Sequence, residues 1–281
     1  MELLIAINFI IIRRKKKHTL LYYLALWGCL ATGLIYLSIG VIAILSFLKL
    51  KHGGADEASL LAFLDQYFIG KIFIGFILLG MVSYTIWRIY EAVKDPYGYG
   101  NDVKGILRRS VTALSSLADI LIAFSAMQAL SGSGDIKITG QPTAQRNMAR
   151  HLLGQDWGYE LLLATGIITC IVAIVQLGYV ITKTYVERMD IKYMEQGKKN
   201  IIHVLAWTGH FARGIILGII GFFFIKSAIE ANPQLVVNTD KAFDFIGDDV
   251  GHLYFIMVAA GTICYGLFMF VFGWYYDTDK G

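Results

Sequence analysis

Two ionisable residues stand inside apolar stretches, Asp119 in the run over residues 110–130 and Arg213 in the run over 201–229. A charge near the middle of a bilayer costs about 2.5–3.5 kcal/mol on insertion scales, so it is placed there for an ion pair, a ligand or a pathway. Thr112, Ser115 and Ser116 precede Asp119 at spacings that put all four on one helix face. His203 and His210 recur on the same helix as Arg213, close to its face. We expect Asp119, Arg213, His210, Ser115 and Thr32 to line a polar axis, with Asp119 paired to Arg213 across it. Such an axis suits either an ion pair that fixes helix register or a route for protons, ions or small anions. The two histidines share a helix, so they cannot be the two axial ligands of one haem.

Little else offers chemistry. Cys29, Cys170 and Cys264 all fall in apolar runs, where a thiol behaves as a small hydrophobe, and they have neither metal-ligand nor disulfide spacing. His52, His151 and His252 are scattered at the edges of apolar runs and read as solvated. The chain has no phosphate-cradling glycine loop in a strand–turn–helix context, no metalloprotease His–Glu pair and no nucleophile elbow. The expectation is therefore a protein that is not an enzyme and has no cofactor and no metal.

The elements that must position these residues follow from composition. Mean hydropathy is +0.58, 56% of residues are hydrophobic and 16% are charged, whereas soluble domains carry about a quarter charged residues. The charges cluster, and between the clusters lie apolar runs long enough to cross about 30 Å of hydrocarbon as helices. The runs predict six transmembrane helices at about 22–48, 68–93, 110–130, 159–185, 201–229 and 250–275. Pro96, Pro142 and Pro233 all lie in the connections, so no span is broken by proline. On one side of the predicted spans sixteen Lys and Arg flank the helix ends, and eight do so on the other. That bias places both termini in the cytoplasm of a multi-pass protein of the cell (cytoplasmic) membrane. Residues 1–18 hold an apolar segment too short to span, followed by Arg13–Lys17, and read as an interfacial or disordered extension. The basic residues sit at helix ends, so nucleic acid is excluded as a partner. The lipid bilayer, other membrane proteins or further copies of the chain remain.

Internal repetition organises the spans. A shift of 181 residues carries Gly28, Ala31, Gly33 and Gly40 onto Gly209, Ala212, Gly214 and Gly221, and carries Gly70, Gly80 and Tyr84 onto Gly251, Gly261 and Tyr265. A middle unit is more diverged: Gly158 matches Gly70, Asp119 matches Gly33, and Gln176 stands where the first unit has Arg88. Three two-helix units result, at 19–100, 101–196 and 197–281. Each contains an even number of spans, so the units are parallel and predict an all-α, pseudo-threefold bundle. A short amphipathic stretch precedes each even span, and three interfacial helices are expected there. Gly33, Gly40, Gly80, Gly214, Gly221 and Gly261 read as helix-packing positions, because backbones approach closely over small residues in lipid. Tyr84 and Tyr265 each need a partner for a phenol inside a span. Arg88, with Glu91 and Lys94, reads as a cluster snorkelling to the interface.

The segment Ala31-Thr-Gly-Leu-Ile-Tyr-Leu-Ser-Ile-Gly40, its copy Ala212-Arg-Gly-Ile-Ile-Leu-Gly-Ile-Ile-Gly221, and the Gly80-x-x-x-Tyr84 and Gly261-x-x-x-Tyr265 pairs resemble the bacterial membrane proteins grouped as domain of unknown function 1206. The resemblance covers about residues 22–276 and implies three two-helix repeats with six spans. The family's Ala-Arg-Gly stands only in the third unit, with Thr32 and Ala118 replacing the arginine in the others. No activity comes with it. Sparse polar lining and abundant small, apolar faces favour a non-enzymatic scaffold or accessory subunit. The alternative is a small channel or transporter built on the axis around Asp119 and Arg213.

Overall fold

The computed structural model describes residues 20–50, 54–132 and 140–277, apart from the side chains of residues 104, 107, 108, 111, 114, 115, 117 and 118. The expected extension at 1–18 and the Ser115 side chain therefore lie outside the described residues. The described chain is helical, and its strand-like pairing is confined to one isolated bridge between Met189 and Tyr276. The helices are α1 (Leu20–Phe47), α2 (Glu57–Asp65), α3 (Phe68–Lys94), α4 (Val103–Ser131), α5 (Thr143–Leu153), α6 (Gly158–Ile181), α7 (Thr184–Glu187), α8 (Gln196–Ile229), α9 (Thr239–Phe245) and α10 (His252–Trp274).

Five of these, α1, α3, α6, α8 and α10, are long and apolar enough to cross a membrane. The expected third span differs. α4 has 29 residues, roughly 43 Å at 1.5 Å per residue, but is apolar only over Asp119–Ser131. Its first half carries Lys104, Arg108 and Arg109 together with the hydroxyl stripe.

Helix ends follow local chemistry. The Asp56 carboxylate caps α2 by accepting from the Ala58 and Ser59 amides, each at 3.0 Å. Asp102 caps α4 through the Gly105 amide, and Asn238 caps α9 through the Lys241 amide. Pro96 follows the left-handed residue Asp95 that ends α3, and Gly132, at φ +65°, ends α4. The expected short helices before the even spans form as α2, α5 and α9, the last continuing into a π turn over Ile246–Val250.

The long helices pack in chain order around a ring. α1 lies against α3, α3 against α4, α6 against α8, α8 against α10, and α10 returns to α1. α4 and α6 barely touch, which leaves one opening. Glycines set the close seams. A Cβ on Gly33 would lie 2.8 Å from the Gly266 carbonyl, and one on Gly221 3.0 Å from the Gly166 carbonyl. At the first-to-last correspondence, Gly80 faces Ala31 and Gly261 faces Ala212, while Gly28 faces Tyr84 and Gly209 faces Tyr265. These contacts carry the dispersion gain that lipid, itself apolar, does not otherwise provide. In the middle pair, Ile168 stands at the repeat position of Gly80 and Gly261, and Val172 at that of Tyr84 and Tyr265. The close approach is lost there, and the opening follows.

The connections form two caps. At one end, called here the capped end, the Ala55 amide donates to Asp240 Oδ1 at 2.6 Å, the Gly140 amide to Ser59 Oγ at 3.0 Å, and Arg146 Nε to the Val236 carbonyl at 3.2 Å. Gly140, at φ +69°, is required here, since Asp240 occupies the place a Cβ would take. Burial pushes the Asp240 carboxyl up to about 7, aided by Asp244 and Asp56 and opposed by the Ala55 hydrogen bond and Lys241. At the opposite, terminal end the segment after α7 pairs with the end of α10. The Asp190 amide donates to the Tyr275 carbonyl at 2.8 Å and the Asp277 amide to the Arg188 carbonyl at 2.9 Å.

Candidate functional site

The polar residues of the spans converge inside the ring. Asp119 is 5% exposed, Ser116 is buried beside it on α4, and Thr112, one helical turn away from Ser116 on the same face, lines a cavity. Arg213 lies between two rings, its guanidinium 4.6 Å from the Tyr36 centroid and 4.8 Å from that of Tyr265, and Nη1 donates to the Tyr265 hydroxyl. Arg88 repeats this arrangement at the first unit. It stacks over Tyr84 at 4.7 Å, and Nη2 donates to the Tyr84 hydroxyl at 2.6 Å. Both span tyrosines thus have the partner a buried phenol requires, in each case an arginine.

The expected direct pairing of Asp119 with Arg213 is not what forms. No ion pair within 4.0 Å joins them among the described residues, and the Asp119 carboxylate feels the charges of both Arg88 and Arg213. The physical reason is the aromatic clamp, which holds the Arg213 guanidinium against Tyr36 and Tyr265. The reading of Arg88 and Glu91 as snorkelling groups is also corrected: both point into the bundle, Glu91 is 4% exposed, and only Lys94 reaches outward.

Glu91 is held by two residues far away in the chain. Arg188 Nη1 lies 3.3 Å from Glu91 Oε1, and the Tyr276 hydroxyl donates to the same oxygen at 2.9 Å. Arg188 Nη2 donates to the Tyr99 hydroxyl at 3.2 Å, and the guanidinium stacks over Tyr97 at 4.7 Å. The Tyr97 and Tyr276 hydroxyls also meet. Burial opposes the charge on Arg188, but Glu91 and the surrounding phenols outweigh it and hold the guanidinium protonated well above the ordinary arginine range. The α7–α10 bridge locks Arg188 in this position.

Above this cluster lies a cavity of 380 Å³, lined from α1 by Cys29, from α3 by Tyr84, Trp87, Arg88 and Glu91, from α6 by Val172, Ile174, Gln176 and Tyr179, from α8 by His210, and from α10 by Tyr265 and Phe268, with Arg188 and Tyr276 below. Gln176 Oε1 accepts from His210 Nδ1 at 2.7 Å. His210 Nε2 is then a bare acceptor, and it is buried without a partner. Arg88 and Arg188 line the same cavity, and the Nε of each is likewise buried without a partner.

Of the expected axis residues, His210 lines the cavity, and Asp119 and Arg213 lie in the interior near it. Thr32 is buried with Oγ1 unpartnered, and Ser115 lies outside the described side chains. His203 bonds the Tyr185 hydroxyl at 2.6 Å and takes no part in the cavity. Ionisable side chains recur inside the bundle: Asp119, Glu91 and Arg188 are buried, and Arg188 pairs with Glu91. Sequence reasoning misplaced Glu91 and missed Arg188 and Tyr276, because their association joins residues 97 and 185 positions apart. Gln176 was the available signal, a polar side chain in an apolar span at the repeat position of Arg88.

The family described as Domain of Unknown Function (DUF1206) matches this chain twice, over residues 27–95 and 208–276. These are the first and last of the sequence repeats. The chain is also similar to the Bacillus subtilis (strain 168) protein named uncharacterized protein YxxB, 29% identical over 251 residues that cover 88% of each chain. No solved structure matches it.

Proposed function

The chain carries two copies of the DUF1206 domain, and on that premise we propose a multi-pass protein of the cytoplasmic membrane that binds a small molecule inside its helix bundle and passes it across. The spans are six, arranged with pseudo-threefold symmetry, and both termini are cytoplasmic. Support for the sixth span comes from the ring, where α4 packs against the preceding even helix α3 just as α8 packs against α6 and α1 against α10. Support for the threefold comes from the capped end. There the loop of each unit bonds the short helix of the unit before it, through Ala55–Asp240, Gly140–Ser59 and Val236–Arg146 in cyclic order. The Lys and Arg bias supports the orientation.

The observation that carries the binding role is the cavity inside the bundle, lined by Arg88, Glu91, Arg188 and His210. Asp119, Glu91 and Arg188 are buried in the same interior, and ionisable groups inside membrane proteins mark polar routes. This favours the transporter expectation over the scaffold. Every spanning helix turns apolar side chains outward, as lipid contact demands, so no one face is singled out for a protein partner.

The test is accessibility. In a chain whose native cysteines are replaced by serine, Thr112→Cys reports the cavity and Thr32→Cys the interior beyond it. A membrane-impermeant maleimide is expected to label Thr112→Cys from the cytoplasmic side in inside-out vesicles, and Thr32→Cys from one side or the other. Labelling of neither from either side means a sealed bundle and returns the scaffold. Labelling of Thr112→Cys only in right-side-out vesicles reverses the orientation.

A further inference from the structure

The middle unit departs from the other two at the cavity wall, and these departures define the ligand of the binding role proposed above, on which this inference rests. Val172, at the repeat position of Tyr84 and Tyr265, brings no ring to the space those tyrosines line. Gln176, at the repeat position of Arg88, therefore has no tyrosine to hold. Its Oε1 accepts from His210 Nδ1, and its NH2 has no partner among the described residues. The unpartnered nitrogens of Arg88, Arg188 and His210 are sealed from water, but Gln176 Nε2 is not among the sealed atoms.

The charged groups of the wall satisfy one another. Arg188 pairs with Glu91 and bonds the Tyr99 hydroxyl. Arg88 bonds the Tyr84 hydroxyl and feels the charge of Asp119. An ion entering here would lose its hydration and meet no unmatched charge among the described residues of the wall. What remains is aromatic. Trp87, Tyr276, Phe272, Phe268, His210 and Tyr265 line the cavity as one connected net, each ring centroid 5.1–5.5 Å from the next. Ring faces are negative and ring edges positive, so such a net favours a further ring over an acyl chain. An apolar cavity of about 150 Å³ already holds benzene, and at 380 Å³ this one has room for two fused rings. It reaches the surface along α6, where Ile174 and Val175 are exposed, on the side where α4 and α6 barely touch. In a spanning protein that flank faces acyl chains, in which neutral aromatic molecules dissolve.

We infer that the cavity takes a neutral, planar aromatic molecule bearing a carbonyl or ether oxygen, which enters from the bilayer between α4 and α6. Its rings lie against the aromatic net, and its oxygen accepts from Gln176.

The full chain, purified in a neutral detergent, is titrated by calorimetry with acetylnaphthalene, ethylnaphthalene, naphthoate, naphthylmethyl-trimethylammonium and acetyldecalin, the heats in empty micelles being subtracted. Acetylnaphthalene is expected to saturate one site, at least about tenfold more tightly than the anion or the cation, and more tightly than its non-aromatic counterpart acetyldecalin. Gln176→Leu is expected to weaken acetylnaphthalene by about three- to tenfold, the worth of one hydrogen bond, and to leave ethylnaphthalene unchanged. Val172→Tyr, which restores the ring of the other units, is expected to abolish binding without lowering the melting temperature of the ligand-free protein. Gln176→Leu keeps the test decisive should Val172→Tyr fail to fold. Tightest binding of naphthoate or of the ammonium overturns the neutral assignment, and equal binding of acetyldecalin overturns the aromatic one. Equal weakening of both naphthalenes by Gln176→Leu removes the hydrogen bond from the proposal. Unchanged affinity in Val172→Tyr puts the site outside the cavity. Maleimide access to Thr112→Cys with no saturable binding of any probe would leave the binding role standing and remove this inference alone.

Discussion

Gly261→Ala tests whether glycine seams hold the bundle together. A Cβ at Gly261 would lie 2.5 Å from the Cβ of Ala212 and 3.0 Å from the Thr208 carbonyl oxygen. Carbon atoms rest about 3.5–4.0 Å apart, so α10 must withdraw from α8 by roughly 1.0–1.5 Å. Both atoms belong to, or hang directly from, the helix backbone, so no side-chain rotation relieves the contact. Overpacking of this kind costs about 1–3 kcal/mol, against a gain of up to about 1 kcal/mol from the better helix former. The expected net loss is about 1–2 kcal/mol, measured by unfolding the purified protein in mixed micelles with increasing denaturing detergent. Gly261→Ala combined with Ala212→Gly moves the methyl across the seam and is expected to recover most of the loss. Gly80→Ala and its rescue by Ala31→Gly should behave alike, since Gly80 faces Ala31 in the same way. Gly218→Ala, where a Cβ meets nothing within 4 Å, is the control and should cost nothing. A Gly261→Ala protein as stable as the parent, or a double variant no better than the single, refutes the seam argument.

Glu91→Ala removes the partner of Arg188 and the acceptor of Tyr276. A loss of about 3–5 kcal/mol is expected, as for other broken buried pairs, while Glu91→Met with Arg188→Met should lose much less; denaturation of the three proteins checks both. Because Asp119 feels the charge of Arg88 as well as that of Arg213, exchanging the charges of Asp119 and Arg213 sets a like charge against Arg88. The double variant should therefore be no more stable than the worse single one, and recovery to parental stability would restore the simple pair. Asp240 binds its proton more tightly folded, at about 7, than unfolded, at the ordinary 3.8. Its contribution is therefore fully present at acid pH, falls as pH rises from about 4 to about 7, and is level above that. Melting curves at pH 5 and pH 8 should differ by about 1–3 kcal/mol in the parent, and the difference should shrink in Asp240→Asn.

The presence of long apolar helices, the positions of α2, α5 and α9, and the correspondence of the first and last units were legible in the sequence. Each rests on local hydropathy, on amphipathic pattern or on spacing, all of which act within a few turns of chain. The same local rule explains the difference at α4: a helix with a basic, hydroxylated first half keeps its helical pattern but loses the hydropathy of a span. Sequence also singled out Asp119, Arg213 and His210, because a charge or imidazole in an apolar run is conspicuous on its own.

What those residues touch was decided only by tertiary structure. Arg213 had two kinds of partner within reach, a carboxylate and two aromatic faces, and the depth at which α1, α8 and α10 cross gave it to Tyr36 and Tyr265. Glu91 and Arg188 carry no local sign of each other, since the chain between them runs through α4, α5, α6 and α7 before the Met189–Tyr276 bridge brings them together. The opening beside α6 is of both kinds. Ile168 and Val172 stand in the sequence where the other units have glycine and tyrosine, but a missing contact becomes an open flank only when the remaining helices close the rest of the ring.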